Sequence, residues 1–185
     1  MVSKEVEKKY IEYKLEGWLD SKKLYEEKIG TLTEKTIIAS FKKKFDISHE
    51  DYDELVEKHS DIQEIKARCT LERKKGFGNI FSFYKWYKSQ EKKCGYCDTT
   101  AETLHLLFKE EELTSKKFTE TLHIERKNPQ EAYSSENCMF ACSLCNNAKS
   151  DLISEENYRR YFAPSMGKFL EDLSKNKIKN EFKGE

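Results

Sequence analysis

Apolar residues in the first third of the chain fall at roughly helical intervals. Val6, Tyr10, Tyr13, Trp18 and Tyr25 recur between runs of Lys and Glu, which predicts helices with one buried stripe. The stretches TLTE (31–34) and SHED (48–51) have the spacing of a capping box, so helices are expected to start near residues 32 and 49. The run GFGN (76–79) breaks the pattern. Asn79 can cap a following helix through IFSFYKWYKSQ, with Phe81, Tyr84 and Tyr87 on one side. After CGYC, Thr99 and Glu102 have capping-box spacing and open a short helix. Alternation in TLHIERK predicts a strand, NCMFAC a second strand, and NNAKSD the opening of a helix. A helix over SEENYRRYF is expected to stop at Pro164, with another from about Met166 to Leu173 and a frayed polar tail.

Composition narrows the class. The chain has 185 residues with 37% charged, 12% aromatic, 7 Gly and 2 Pro, which suits a helix-rich globular protein and excludes a disordered one. It contains no run of 18 apolar residues, and MVSKEVEKKY has no apolar leader core, so no membrane partner and a cytoplasmic location are expected. Net charge is zero, yet residues 66–93 hold nine Lys or Arg against two Glu, interleaved with aromatics. That stretch reads either as the solvated face of amphipathic helices or as a phosphate-facing band that includes Lys74 and Lys75. Its aromatic residues read as core.

Six Cys in a cytoplasmic chain do not suggest a disulfide framework. Cys94-x2-Cys97 and Cys142-x2-Cys145 form two knuckles whose sulfurs can converge on one structural zinc, Zn2+, contributing roughly 10 kcal/mol to folding. Four thiolates leave no position for water, so such an ion is a staple. Cys69 and Cys138 read as small buried hydrophobes.

Between the knuckles lie a strand, a loop, a second strand and a helix entered through Cys-x2-Cys-Asn. Over roughly residues 77–163 the chain resembles the HNH nucleases, the ββα-metal group that includes homing, colicin and many restriction endonucleases. ENCMFACSLCNNAKSD matches the second half of the common pattern: Asn137, then Asn146 directly after Cys145, then Lys149. The first half departs from Asp-His-Ile-x-Pro. Matching Pro129 to the family proline puts Glu125 on the Asp position and Arg126 on the His position, whereas spacing to Asn137 favours His123. Residues two apart on a strand share a face, so His123 and Glu125 can serve one site. Ile124-Glu125-Arg126 is also similar to the signature of an HNH subgroup.

The resemblance implies an α+β, mostly helical fold. Outside the resemblance, the helical region at 1–75 is expected to serve target recognition or oligomerisation; an HNH ββα-metal domain would span 76–173, and a polar tail 174–185. It implies a DNA endonuclease, restriction- or defence-like, acting on double-stranded DNA with one catalytic Mg2+ or Mn2+. His123 would be the general base, with Glu125 and Asn146 as ligands of the catalytic ion. Asn137 would orient the base and loop, Arg126 would clamp a phosphate, and Lys149 would contact one. On the residues alone, Asn146 could be a helix N-cap, Glu125 and Arg126 a salt bridge, and Asn137 a loop-fixing group. His49, His59 and His105 read as surface or packing residues. Two other functions stand beside the nuclease: a catalytically inactive zinc-stapled nucleic-acid-binding module, and a nuclease subunit silent outside a larger defence complex. A homodimer or a partner protein is left open.

Overall fold

The structure, a computed structural model, describes residues 2–16, 34–110, 112–113 and 118–180. Trp18, Tyr25, the cap expected from TLTE and the last residues of the tail lie outside the described residues. Contacts divide the chain into two compact units: residues 1–74 with 78–87, and residues 75–77 with 88–185.

The first unit holds helices α1 (Lys4–Glu16), α2 (Glu34–Phe45), α3 (His49–Lys58), α4 (Ile62–Arg68), most of α5 (Leu71–Gly76) and most of α6 (Ile80–Ser89). Tyr10, Phe41, Tyr52 and Leu55 form its core, with Val6, Tyr13, Ile38, Phe45 and Ile47 packed around them. The rings meet edge to face, Tyr10 and Tyr52 at 5.7 Å between centroids, an arrangement that suits the ring quadrupoles. Ser48 caps α3 by accepting the Asp51 N–H at 3.0 Å, as its sequence predicts. Asn79 does the same for α6 through Ser82 at 2.8 Å.

The aromatic stripe of α6 is wider than expected. Ile80, Phe83, Tyr84, Trp86 and Tyr87 are buried, while Phe81 is half-buried with the Lys85 ammonium 4.5 Å above its ring. Positions 80, 83, 84 and 87 follow the 3.6-residue period, and 81 falls beside it. The contacts also shift the expected boundary at residue 75. Tyr84 reaches His59 Nδ1 at 2.9 Å and Tyr87 donates to Glu64 at 3.4 Å, so α6 closes the helical unit instead of opening the second.

The second unit runs α7 (Ala101–Lys109), β1 (His123–Arg126), β2 (Cys138–Ala141), α8 (Ser143–Lys149), α9 (Glu155–Tyr161) and α10 (Ala163–Ser174). The two strands pair antiparallel, His123 opposite Ala141 and Arg126 opposite Cys138. Three sequence expectations move here. The cap of α7 is Thr100, which accepts from Thr103 N–H, so the helix starts one residue later than Thr99 implies. Pro164 sits in the first turn of α10 and starts that helix, because its missing N–H would have no partner there in any case. The tail is held as far as Asn180, whose backbone and side chain donate to Glu112 at 3.1 and 2.8 Å. No helix among the described residues is long and apolar enough to cross a membrane.

Candidate metal centre and active site

The first knuckle is a tight turn. Cys94 N–H donates to Thr99 O, Asp98 N–H donates to Cys94 O, and Asp98 takes a left-handed φ of 59°. Gly95 donates to Phe140 O at 2.7 Å and lies against Met139, where a Cβ would stand 2.7 Å from the sulfur. A side chain here would displace the Met139 thioether and crowd the Phe140 carbonyl at 3.3 Å, so glycine lets the knuckle lie close on β2. The second knuckle begins where β2 ends. Cys142 is the N-cap of α8, and its sulfur accepts the Cys145 N–H at 3.3 Å. All four sulfurs lie within 4.8 Å of one another, and Cys97 and Cys142 are 3.8 Å apart. Tetrahedral zinc at about 2.3 Å from each sulfur requires sulfur pairs roughly 3.8 Å apart, so the cluster fits one such ion. The thiols titrate against each other: hydrogen bonding from Cys142 drives Cys94 down, and contact with Cys145 drives Cys142 up. A shared cation relieves that competition. Cys69 is only half-buried, whereas Cys138 is buried within β2.

α8 packs across β1. His123 and Glu125 leave the same side of the strand, and both meet partners near this helix. His123 Nε2 lies 3.1 Å from Thr119 Oγ1, and Thr119 is tied to Ser143 of α8 through two hydrogen bonds. Glu125 Oε1 accepts from Lys149 Nζ at 2.9 Å. Ser143, Asn146 and Lys149 follow at three-residue intervals, so Asn146 sits midway on the helix stripe between these two contacts. Its backbone N–H donates to Cys142 O and its side chain makes no hydrogen bond among the described residues. Asn146 is therefore not the cap of the helix; Cys142 is.

The remaining predicted residues divide. Asn137, 6% exposed, fixes the loop: Nδ2 donates to Asn128 O and Ala132 O at 3.0 Å, and Oδ1 accepts the Asn128 N–H at 2.9 Å. Arg126 leaves the opposite side of β1 from Glu125. It stacks on Tyr133, 5.0 Å to the ring centre, and donates to Glu131 O. The alternative salt bridge between Glu125 and Arg126 gives way to one with Lys149. Lys149 corrects its own expectation too, because its Nζ is buried against Glu125 and not presented as a phosphate contact. Lys74 and Lys75 are exposed. Among the His set aside, His59 is buried between Glu7 and Tyr84, and His105 pairs with Glu120 at the surface.

Burial pushes the Glu125 carboxyl up from its ordinary range, and the Lys149 hydrogen bond pulls it back in part. Burial first, and then the charge of Glu125, push the Tyr96 hydroxyl up, and that hydroxyl is buried without a hydrogen-bond partner among the described residues. Sequence reading missed Thr119 and the Lys149–Glu125 pair. The pair has no local signal, since Lys149 and Glu125 are 24 positions apart and meet only when α8 lies on β1, whereas Thr119 stands four positions before His123.

No family model matches the chain, and no curated protein does. Among solved structures, it is similar to the rare-cutting HNH restriction endonuclease PacI, whose study describes a mechanism of DNA perturbation, with 26% identity and a TM-score of 0.42. That match covers 49% of this chain, which spans 63% of the length of the other.

Proposed function

We propose that this chain is a metal-dependent DNA endonuclease of the HNH, ββα-metal type, stapled by zinc at Cys94, Cys97, Cys142 and Cys145. What supports the reading is that β1 carries His123 and Glu125 on one side, that α8 packs on β1 and carries Asn146 between Ser143 and Lys149, and that Asn146 directly follows Cys145 of the four-sulfur cluster. Phosphodiester hydrolysis needs a base active near neutral pH and a hard cation held by oxygen. Glu125 Oε2 and the Asn146 amide have no hydrogen bonds among the described residues, so both oxygens fit such a cation. When bound, Mg2+ or Mn2+ would supply charge stabilisation at the scissile phosphate.

His123, steadied by Thr119, accepts a proton from water as that oxygen bonds to phosphorus. The bond from phosphorus to the leaving oxygen breaks, and solvent returns a proton to that oxygen. Asn137 acts from a distance by holding residues 128–132 rigid behind the site. Arg126, over the Tyr133 ring, and the exposed Lys74 and Lys75 are suited to phosphate contacts outside the reacting centre. A plasmid-nicking assay in Mg2+, Mn2+ and Ni2+ tests the reading. His123→Ala with its zinc content intact should lose about 10²- to 10⁴-fold in rate; full activity in that variant sinks the base assignment.

One observation favours a second reading, a binding module without catalysis: the ion pair already engages half of the Glu125 carboxylate. Absence of cleavage with every ion, alongside salt-dependent DNA binding, would select it. Cleavage that appears only with a co-purifying protein would point to a subunit of a larger assembly.

A further inference from the structure

Lys149 is 0% exposed, an unusual place for an ammonium. Its three hydrogens have three acceptors: Glu125 Oε1 at 2.9 Å, Ser150 O at 3.2 Å and Arg126 O at 3.4 Å. The surroundings are built for it. Lys149 ends α8, where the unpaired carbonyls favour a cation. Ser150 follows at a φ of 47°, a region non-glycine residues seldom occupy, and its carbonyl is one of the three acceptors. Glu125 is 14% exposed in its side chain, so solvent screens this pair poorly.

Two consequences follow for the oxygens beside it. With Oε1 engaged by Lys149, Glu125 keeps Oε2 without a hydrogen bond among the described residues. The ammonium also cancels the carboxylate charge, and Asn146, one turn earlier on the same stripe, adds none. A divalent cation entering here meets a fixed positive charge at close range.

We propose that Lys149 is the resident counter-ion of this cation site: a positioning residue that holds Glu125 as a one-oxygen ligand and keeps divalent-cation affinity low. The inference rests on the nuclease reading, because it takes Glu125 and Asn146 as ligands. A lysine that serves only the packing of α8 would act in the opposite sense, since its loss would loosen Glu125 and weaken cation binding.

Mn2+ titration of the full-length zinc-loaded protein, read by the electron paramagnetic resonance of free Mn2+, separates these roles. Lys149→Met, with unchanged zinc content and near-ultraviolet circular dichroism, should bind Mn2+ roughly tenfold more tightly, the usual scale for removing one neighbouring like charge. Glu125→Gln should lose the site. Unchanged or weaker binding in Lys149→Met, with Glu125→Gln still losing the site, overturns the counter-ion role and leaves the nuclease reading standing. Mn2+ binding that survives in Glu125→Gln overturns the ligand assignment and this inference with it. If Lys149→Met does not fold, the wild-type protein labelled with 15N-lysine gives the answer. Mg2+ should shift the slowly exchanging Lys149 ammonium signal at the concentration that displaces Mn2+; a signal that Mg2+ leaves in place overturns the role.

Discussion

The two units reach order by different means. The first packs rings: Phe41 alone lies within 6.1 Å, centroid to centroid, of Tyr10, Tyr13, Phe45 and Tyr52, and the helices around it run to 13 residues. The second has two four-residue strands, and α8 and α9 have seven residues each. A two-stranded ribbon is marginal in water, and helices this short do not persist alone. What joins these pieces is a set of four sulfurs at the ends of two tight turns. One unit is thus held by burying area alone. The other is held by burying residues such as Leu104, Leu107, Tyr158, Leu170 and Leu173 and by a cluster of sulfurs that can cross-link its short elements at a point, and the candidate site belongs to this second unit.

The largest effect expected from that difference comes from chelation. Stripping a metal held by the four sulfurs should remove roughly 10 kcal/mol from the second unit, so amide exchange across β1, β2 and α8 should become fast while α2 and α3 keep their protection. Equal loss in both units would break the comparison. The reverse experiment is Phe41→Ala, expected to cost about 3–5 kcal/mol in the first unit. Its zinc content and the protection of β2 should stay as they are; if both fall, the units are not independent in this sense.

The smallest effect, and the sharpest in sign, is the dependence on pH. Hydrogen bonds first from Lys58 and then from His59 hold the Glu7 carboxyl below its ordinary range. Its contribution is therefore present above the unfolded value and lost as pH falls through the lower, folded one. Glu125 is raised by burial, so its contribution is present below the unfolded value and lost as pH rises through the folded one. Acid titrations read separately in the two units should show Glu7→Gln flattening the acid loss of the first. Glu125→Gln should flatten the opposite slope of the second. Slopes of the same sign in both would refute the assignment.

Much of this was readable locally. Ser48 and Asn79 cap the helices that follow them, Cys138–Ala141 is a strand, and two Cys-x2-Cys pairs announce one centre, because each depends on residues within a few positions. Boundaries governed by competition were less legible. Thr100 supplanted Thr99 as a cap, and Pro164 began a helix where it was expected to end one. The assignment of α6 depended on Tyr84 finding His59, 25 positions away, which no local pattern encodes.

By itself, the sequence determined the elements and the four-cysteine cluster, since period, capping and knuckle spacing act over short range. It also put His123 and Glu125 on one side of β1, because the two-residue repeat of a strand leaves no other choice. Only the tertiary structure decided what faces them. Packing α8 on β1 brought the helix carrying Ser143, Asn146 and Lys149 onto that strand and turned Lys149 from an expected phosphate contact into a buried partner of Glu125. The reason is energetic: an ammonium is strongly hydrated in water and becomes a fixed structural charge only where folding supplies a carboxylate and carbonyls to replace that water.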